Sequence, residues 1–348
     1  MAGNRPQGKP AVSRLAREAL RGNLDPMARA PEFPELAPHR AALREFLDRQ
    51  VGAFEPEVRP MVREALAHPG KLLRPTLLFA TAHDGAPPSP EVVRGAAVVE
   101  LVHLATLVHD DVLDGADTRH GSDTPNRTHG AHAAILFGDA LFAHALVLAA
   151  ELPSPELCRL VATGAREVCS GEVCQTFSRG RADLSLEDYR RHIRLKTAEL
   201  FAAACRAGAH LSGRPAGDPA HAAAAEFGLR LGIAYQIYDD LADILLTSDR
   251  AGKTLGTDVA SGKLTLPLLL ERDAVGASAV ERALGGEDLR AVVAPARWAA
   301  SFAALDAEID AAESALVPLG AAPGAQLLRR LTAFLRTAAG EVRRLSPS

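Results

Sequence analysis

The chain is 348 residues long, 47% hydrophobic, 24% charged and only 4% aromatic, which fits two domains or one large one at roughly 150 residues per domain. Lys and Arg number 39 against 43 Asp and Glu; the net charge of −4 excludes the basic surface that bulk nucleic-acid or anionic-membrane binding needs. Cys158, Cys169, Cys174 and Cys205 form no CxxC pair and no disulfide-dense pattern, so they read as reduced thiols of a cytoplasmic protein.

Residues 1–35 are studded with Arg, Pro and Gly, as in Asn4-Arg5-Pro6-Gln7-Gly8-Lys9-Pro10, and have no apolar signal-peptide core. They predict a disordered leader ahead of one domain over 36–348. The first helix is expected over 36–67, with a break at Pro69-Gly70 and a second helix starting near Pro75. After the loop at Ala86-Pro87-Pro88, Ser89-Pro90-Glu91 has the form of an N-cap with proline at the first helical position. The helix it opens stays apolar to His109. Another runs from Ala131 to about Glu151 and is ended by Pro153-Ser154-Pro155. Further helices are predicted over 156–177, 186–212, 219–247, 265–284, 297–316 and 323–344. No segment alternates like a strand and no repeat recurs at a fixed period, so the fold class is all-α, one helical bundle. With no run of 18 or more apolar residues, no membrane span is predicted.

The most informative motif is His109-Asp110-Asp111-Val112-Leu113-Asp114. Asp110 and Asp114, spaced i, i+4, share one helical face. Three carboxylates at the end of a helix repel one another and face the negative end of its dipole. A cation relieves both, and hard oxygen donors suit Mg²⁺, which uses one or two carboxylates plus substrate phosphates. A single acidic run is usually a solvated face. Here the motif recurs about 130 residues on, as Gln236-Ile237-Tyr238-Asp239-Asp240-Leu241-Ala242-Asp243, and both copies follow long apolar helices. Facing each other across a bundle, two DDxxD motifs could hold several metals around a diphosphate.

Several other motifs accompany them: Gly70-Lys71-Leu72-Leu73-Arg74-Pro75, Asp117-Thr118-Arg119-His120-Gly121, Gly138-Asp139, Lys196-Thr197-Ala198, and Gly252-Lys253 through Asp258 to Gly262-Lys263-Leu264-Thr265-Leu266-Pro267. Alone, a Lys or Arg beside Gly or Pro is usually a loop charge. Together they supply a set of cations that two diphosphate substrates need in addition to metals. With these motifs the sequence resembles the trans-isoprenyl diphosphate synthases, the polyprenyl synthetase family, over about residues 36–345. The resemblance implies an isoprenoid synthase-type helical bundle around a central apolar cavity. It implies a prenyltransferase condensing isopentenyl diphosphate head-to-tail with an allylic diphosphate, with Mg²⁺ (Mn²⁺ as a substitute) as cofactor, and a homodimer. Residue by residue, it implies Lys71, Arg74 and His103 in the isopentenyl diphosphate site. Arg119, Lys196, Thr197, Gln236, Lys253 and Lys263 match the allylic diphosphate site. Asp110, Asp114 and Asp239 match the metal ligands, and Asp111, Asp240 and Asp243 the remaining motif acids. A lone histidine on an apolar helix is ordinarily a satisfied core residue, but His103 lies seven residues before Asp110 and so on nearly the same face. His109 and His129 have no such placement.

One position departs from the family pattern. His120 stands where the family usually has a second arginine, which normally helps to hold isopentenyl diphosphate. Histidine is charged only part of the time near neutral pH and lacks the guanidinium fork, so weaker or more pH-dependent isopentenyl diphosphate binding is expected. The following Ser122-Asp123-Thr124-Pro125-Asn126 is also shifted from the usual Pro-Thr order. Product length is addressed by the helix before Asp110. Thr106 lies about 6 Å and Val99 about 16 Å below Asp110, with Val102, Ala105 and Gly95 alongside. In the family a bulky residue four or five positions before the first aspartate floors a short product; Ala105 and Thr106 remove that floor. Simple helix packing also calls for small residues here, and Phe137 or Phe142 could still close the tunnel. The expectation is a product of C20 or longer, with a farnesyl (C15) synthase as the alternative. A class I terpene cyclase would normally carry an Asn/Ser/Glu-type second metal motif, and a non-catalytic synthase subunit usually loses one aspartate motif. This chain keeps Asp239, Asp240 and Asp243.

Overall fold

The computed structural model describes residues 26–29, 31, 33–67, 70–119, 122–152, 154–215, 217–246 and 262–347. Among these, the chain is a bundle of helices with one two-residue antiparallel ribbon, β1 (Thr118–Arg119) paired with β2 (Ser122–Asp123). His120 and Lys253 lie outside the described residues.

The predicted first helix divides in two, α1 (Ala37–Gln50) and α2 (Arg59–Ala67), separated by a 3₁₀ turn at Val51–Ala53 and by Glu55-Pro56. Gly52 and Pro56 both disfavour a continuous helix there. Next come α3 (Leu73–Ala82) and α4 (Pro90–Leu113). The Ser89 hydroxyl accepts from the Val92 amide at 3.3 Å and Pro90 occupies the first turn, as the sequence predicts. The short α5 (Pro125–His129), capped by Thr124, was not visible in the sequence pattern. It leads into α6 (Ala131–Ala150), followed by α7 (Pro155–Thr176). The predicted helix at 186–212 is α8 (Leu186–Ile193), a π-helical turn at Arg194–Ala198, and α9 (Glu199–Leu211). It starts with a reciprocal cap: Ser185 Oγ accepts from the Asp188 amide at 3.0 Å, and Asp188 accepts from the Ser185 amide at 3.1 Å. Then follow α10 (Pro219–Leu245), α11 (Leu266–Val275), α12 (Ser278–Leu284), α13 (Leu289–Val292), α14 (Pro295–Ala315) and α15 (Pro323–Arg343). Gly276, at φ 94°, separates α11 from α12, where one helix was expected.

Alanine and glycine let the helices approach closely. The main packings are α4 on α6, α9 on both α3 and α10, and α10 on α14. Part of the predicted leader belongs to this core: Pro26–Arg29 is a 3₁₀ turn, and Met27 and Phe33 are buried. The four cysteines are all free, with Cys205 buried and Cys169 exposed. Two helices, α4 and α6, are long and apolar enough by composition to cross a membrane, contrary to the expectation from uninterrupted runs. A hydropathy average tolerates the occasional polar residue that interrupts a run. In α4 the apolar surface faces inward, whereas only 39% of the corresponding stretch of α6 is buried.

Candidate active site

The first DDxxD motif ends α4. Asp114 is its C-cap, its amide bonded to Asp110 O at 2.8 Å, so the three acids do sit at the negative end of the helix. The second lies in the last two turns of α10. What joins them is the π turn. Lys196 Nζ lies 3.5 Å from Asp110 Oδ2, is paired with Glu172 of α7, and donates to Gln175 Oε1 at 2.9 Å. The next residue, Thr197, points the other way: its hydroxyl donates to Gln236 Oε1 at 2.7 Å, and Gln236 Nε2 donates to Asp240 Oδ1 at 2.9 Å. Successive residues on a helical turn diverge by about 100°, so two adjacent side chains reach both aspartate motifs from one backbone step.

The acids differ in their surroundings. Asp111 is buried and accepts from Arg119 Nε at 2.9 Å, with a second guanidinium nitrogen at 2.8 Å. Asp240 is buried too, accepting from the Tyr189 hydroxyl at 2.7 Å as well as from Gln236. The second aspartate of each motif therefore fixes other site residues directly. Asp243 is buried and Asp239 half-buried. Asp114 pairs with Arg179 at 2.5 Å and Lys263 at 3.2 Å. Arg179 and Lys263 meet because the Gly180 amide donates to Gly262 O at 3.0 Å. Both glycines have positive φ (73° and 78°), and a Cβ on Gly262 would lie 2.9 Å from Gly180 N.

Burial pushes the Asp110 carboxyl up to about 6; the Lys196 charge opposes this and Glu172 adds to it. At Asp114 burial also raises the pKa, but Lys263 and Arg179 outweigh it and hold the carboxyl below its ordinary range. Burial works against the Lys196 charge, yet Asp110 and Glu172 raise its pKa. Among the described residues no three His, Cys, Asp or Glu side chains close around one point. The all-oxygen donors of the two motifs still fit Mg²⁺, because that ion typically takes one or two carboxylates and completes its shell with phosphate oxygens and water.

A second cluster lies below the first motif. Arg74 donates from its guanidinium to His103 Nε2 at 2.9 Å, and its guanidinium carbon is 4.9 Å from the centre of the Phe201 ring. Lys71 Nζ is 5.8 Å from the Tyr235 ring centre. Leu72, between the two cations, has left-handed backbone at φ 47°, a strain of about 1–2 kcal/mol for a side chain with a Cβ.

The polyprenyl synthetase family model matches residues 55–291. The chain belongs to this family. It is 34% identical over 305 residues to the heptaprenyl diphosphate synthase component 2 of Geobacillus stearothermophilus, covering 85% of this chain and 94% of that one. A polyprenyl synthase of Caulobacter crescentus, solved with calcium and isoprenyl diphosphate, superposes with a TM-score of 0.76 at 30% identity, covering 98% and 100% of the two chains. A geranylgeranyl pyrophosphate synthase of Lactobacillus brevis gives 0.78 at 29% identity, covering 87% and 98%.

Within this synthetase fold, the sequence-predicted Asp110, Asp114, Lys196 and Lys263 come together, as do Asp111 with Arg119, Thr197 with Gln236 and Asp240, and Arg74 with His103. On the chain-length stripe, Val99, Val102 and Ala105 have no exposed surface, while Thr106 is half-buried like His103 and Asp110. Phe137 is fully buried on α6. The sequence reading missed Glu172, Gln175, Arg179 and Tyr189. Glu172 and Gln175 share one face of α7 at i, i+3, a signal that a helical projection carries, whereas Arg179 lies in the turn beyond the end of the helix at Thr176. It also left Gly138-Asp139 without a role. His109 Nε2 is 3.3 Å from Asp139 Oδ1 and from Ile135 O, and a Cβ on Gly138 would overlap the His109 ring.

Proposed function

We propose that the chain condenses isopentenyl diphosphate head-to-tail with an allylic diphosphate and releases an all-E polyprenyl diphosphate of C20 or longer. The observation that carries this reading is the Lys196-Thr197 step, which ties the two aspartate motifs to one backbone turn. Asp110, Asp114 and Asp239 are the residues assigned to hold Mg²⁺, or Mn²⁺ in its place. The bound ions supply positive charge to the departing diphosphate. Lys196, Arg119 and Lys263 add fixed cations around the same oxygens. Asp111 orients Arg119, and Asp240 holds Gln236. Lys71, Arg74 and His103 receive isopentenyl diphosphate. His120 and Lys253 are assigned to the isopentenyl and allylic diphosphate sites respectively.

The allylic C–O bond breaks as diphosphate leaves, and an allylic cation forms. The isopentenyl double bond attacks it, a new C–C bond forms, and one proton passes to the released diphosphate. The apolar flank of α4 below Asp110 keeps water from the cation. Thr106 marks the wall along which the product grows.

The exposed stripe of α6, with Leu136 65% and Val147 53% exposed beside Ile135 and Leu146, is the surface assigned to a homodimer contact. Such an apolar stripe on a chain assigned to the cytoplasm is best buried against a second copy. The test is the purified chain with labelled isopentenyl diphosphate, Mg²⁺ and C5, C10, C15 or C20 primers, products sized by mass spectrometry. A ladder of prenyl diphosphates reaching C20 or beyond supports the reading. Free hydrocarbons or cyclic alcohols would point to a cyclase, and turnover only with an added second protein to a synthase subunit.

A further inference from the structure

Two cations face the first aspartate motif in the same relation. Lys196 stands between Asp110, at 3.5 Å, and Glu172. Arg179 stands between Asp114, at 2.5 Å, and the same Glu172, at 3.9 Å. Glu172, near the end of α7, is 14% exposed at its side chain and also accepts from the Thr176 hydroxyl at 3.3 Å. One anchored carboxylate thus backs both cations. The two oxygens of Asp114 are divided: Oδ1 accepts from Arg179 and Oδ2 from Lys263. The bond from the Gly180 amide to Gly262 O fixes that convergence. Both acidic contacts of Arg179 are closest at Nη2, while its Nε is buried without a hydrogen-bond partner. A guanidinium carries five donors in a rigid fork, and an unpaired buried donor is costly. Arg179 therefore holds more hydrogen-bonding capacity than the two carboxylates use.

We propose that Arg179 is a further ligand of the allylic diphosphate: with Asp114 committed to a metal ion, the guanidinium turns its fork to a diphosphate oxygen, and Glu172 keeps it beside the site. No sequence motif singles this arginine out. The structure does, by giving it the relation to the first motif that Lys196 has. The inference rests on the assignment of Lys196 and Lys263 to the allylic diphosphate and of Asp114 to the metal. The two lysines meet a phosphate as point charges, whereas a guanidinium fixes the direction of two acceptor oxygens. A fork at this corner orients the leaving group as well as attracting it.

The test uses the full-length chain with Mg²⁺ and a C10 primer whose bridging oxygen is replaced by sulfur, which binds but does not readily ionise. Calorimetry reads its Kd, and steady-state turnover with the normal primer reads KM for each substrate. Lys196→Gln checks the underlying assignment: it must weaken the analogue, and if it does not, the allylic site itself is misassigned and the proposal falls with it. With that assignment standing, Arg179→Gln is expected to raise the analogue Kd and the allylic KM on the order of tenfold, with the isopentenyl KM and the thermal midpoint unchanged. Unchanged or tighter analogue binding would mean that Arg179 only neutralises Asp114, and would overturn the proposal. An equal rise in both KM values or earlier unfolding would overturn it too, since either marks a structural role for the turn. If Arg179→Gln does not fold, Arg179→Lys replaces it: loss of the fork should raise the analogue Kd several-fold and leave the isopentenyl KM native, and native affinity for the analogue would refute the role.

Discussion

The π turn that carries Lys196 and Thr197 is gripped between two glycines. A Cβ built on Gly171 of α7 would lie 2.8 Å from Lys196 Cα and nearer still to its amide nitrogen; one on Gly232 of α10 would lie 2.5 Å from Ala198 Cα. Ordinary contact begins at 3.4 Å, so alanine at Gly232 must displace the turn by 3.4 − 2.5 = 0.9 Å, and alanine at Gly171, with the Lys196 nitrogen closer still, by at least as much. The atoms in the way are backbone, which a rotamer change cannot move. In an open helix Gly→Ala gains about 1 kcal/mol from propensity. Here overpacking reverses the sign, and each variant is expected to lose about 1–3 kcal/mol. If Lys196 holds the leaving diphosphate as proposed, a misplacement approaching 1 Å costs roughly 10- to 100-fold in kcat/KM. The assay is steady-state turnover with each substrate, alongside thermal unfolding of Gly171→Ala, Gly232→Ala and the control Gly340→Ala, whose Cβ meets nothing within 4 Å. The control should be as stable as the native chain or more so. If Gly171→Ala and Gly232→Ala unfold no earlier than the control and keep native kcat/KM, the turn does not set the site's geometry.

Thr106→Phe places a ring about one turn, roughly 6 Å, below Asp110 and should shorten the main product; an unchanged product ladder would mean that the chain does not grow past this face. Leu136→Glu puts a charge on the exposed stripe of α6 and should convert a dimer to monomer in light scattering, with the helical circular dichroism unchanged; a dimer that persists removes α6 from the interface. Burial raises the Glu100 carboxyl from an ordinary 4.5 to about 7, so between those pH values the native state binds more protons than the unfolded state and stability falls as pH rises. Denaturation from pH 4.5 to above 7 should therefore move in favour of Glu100→Gln by about 3 kcal/mol, and a pH-independent difference would refute the shift. His120→Arg should flatten the pH dependence of the isopentenyl diphosphate KM; identical KM values for both forms at every pH would discard the role given to His120.

Most helices were legible because proline and polar caps punctuate them: Ser89-Pro90 at the start of α4 and Asp218 at the start of α10 act as their residue types predict. The two aspartate motifs and the basic residues around them were legible because charge on an apolar helix is conspicuous. The π turn was not, since Arg194–Ala198 continues the helical pattern of its neighbours and its extra residue per turn is imposed by packing against α7 and α10. Gly171 and Gly232 likewise carry no signal in the sequence, because each is the space another backbone occupies. Glu100 and Tyr189 escaped notice because one acid in an apolar run, or one tyrosine in an amphipathic turn, has no pattern until its neighbour across the bundle is known.

Burial sorts the site's ion pairs into two kinds. The Asp111 side chain is only 4% exposed, so removing Arg119, itself 35% exposed, strands a buried carboxylate at a cost of several kcal/mol. Asp240, buried between Tyr189 and Gln236, is held in the same way. At Asp110 and Asp114 the acid itself reaches solvent: these side chains are 17% and 26% exposed, against 4% for Asp111. A competing ion can therefore reach Asp110 and Asp114, whereas Asp111 is closed off. The cations that neutralise Asp110 and Asp114 here, Lys196 and Lys263, are the ones assigned to the allylic diphosphate. On the proposed function, Asp110 and Asp114 would offer carboxylates to the metal and Lys196 and Lys263 ammonium groups to the phosphate, already matched to each other. The frame that must not move during this exchange is the buried set, Asp111 with Arg119 and Asp240 with Tyr189 and Gln236, which is why the second aspartate of each motif faces the protein.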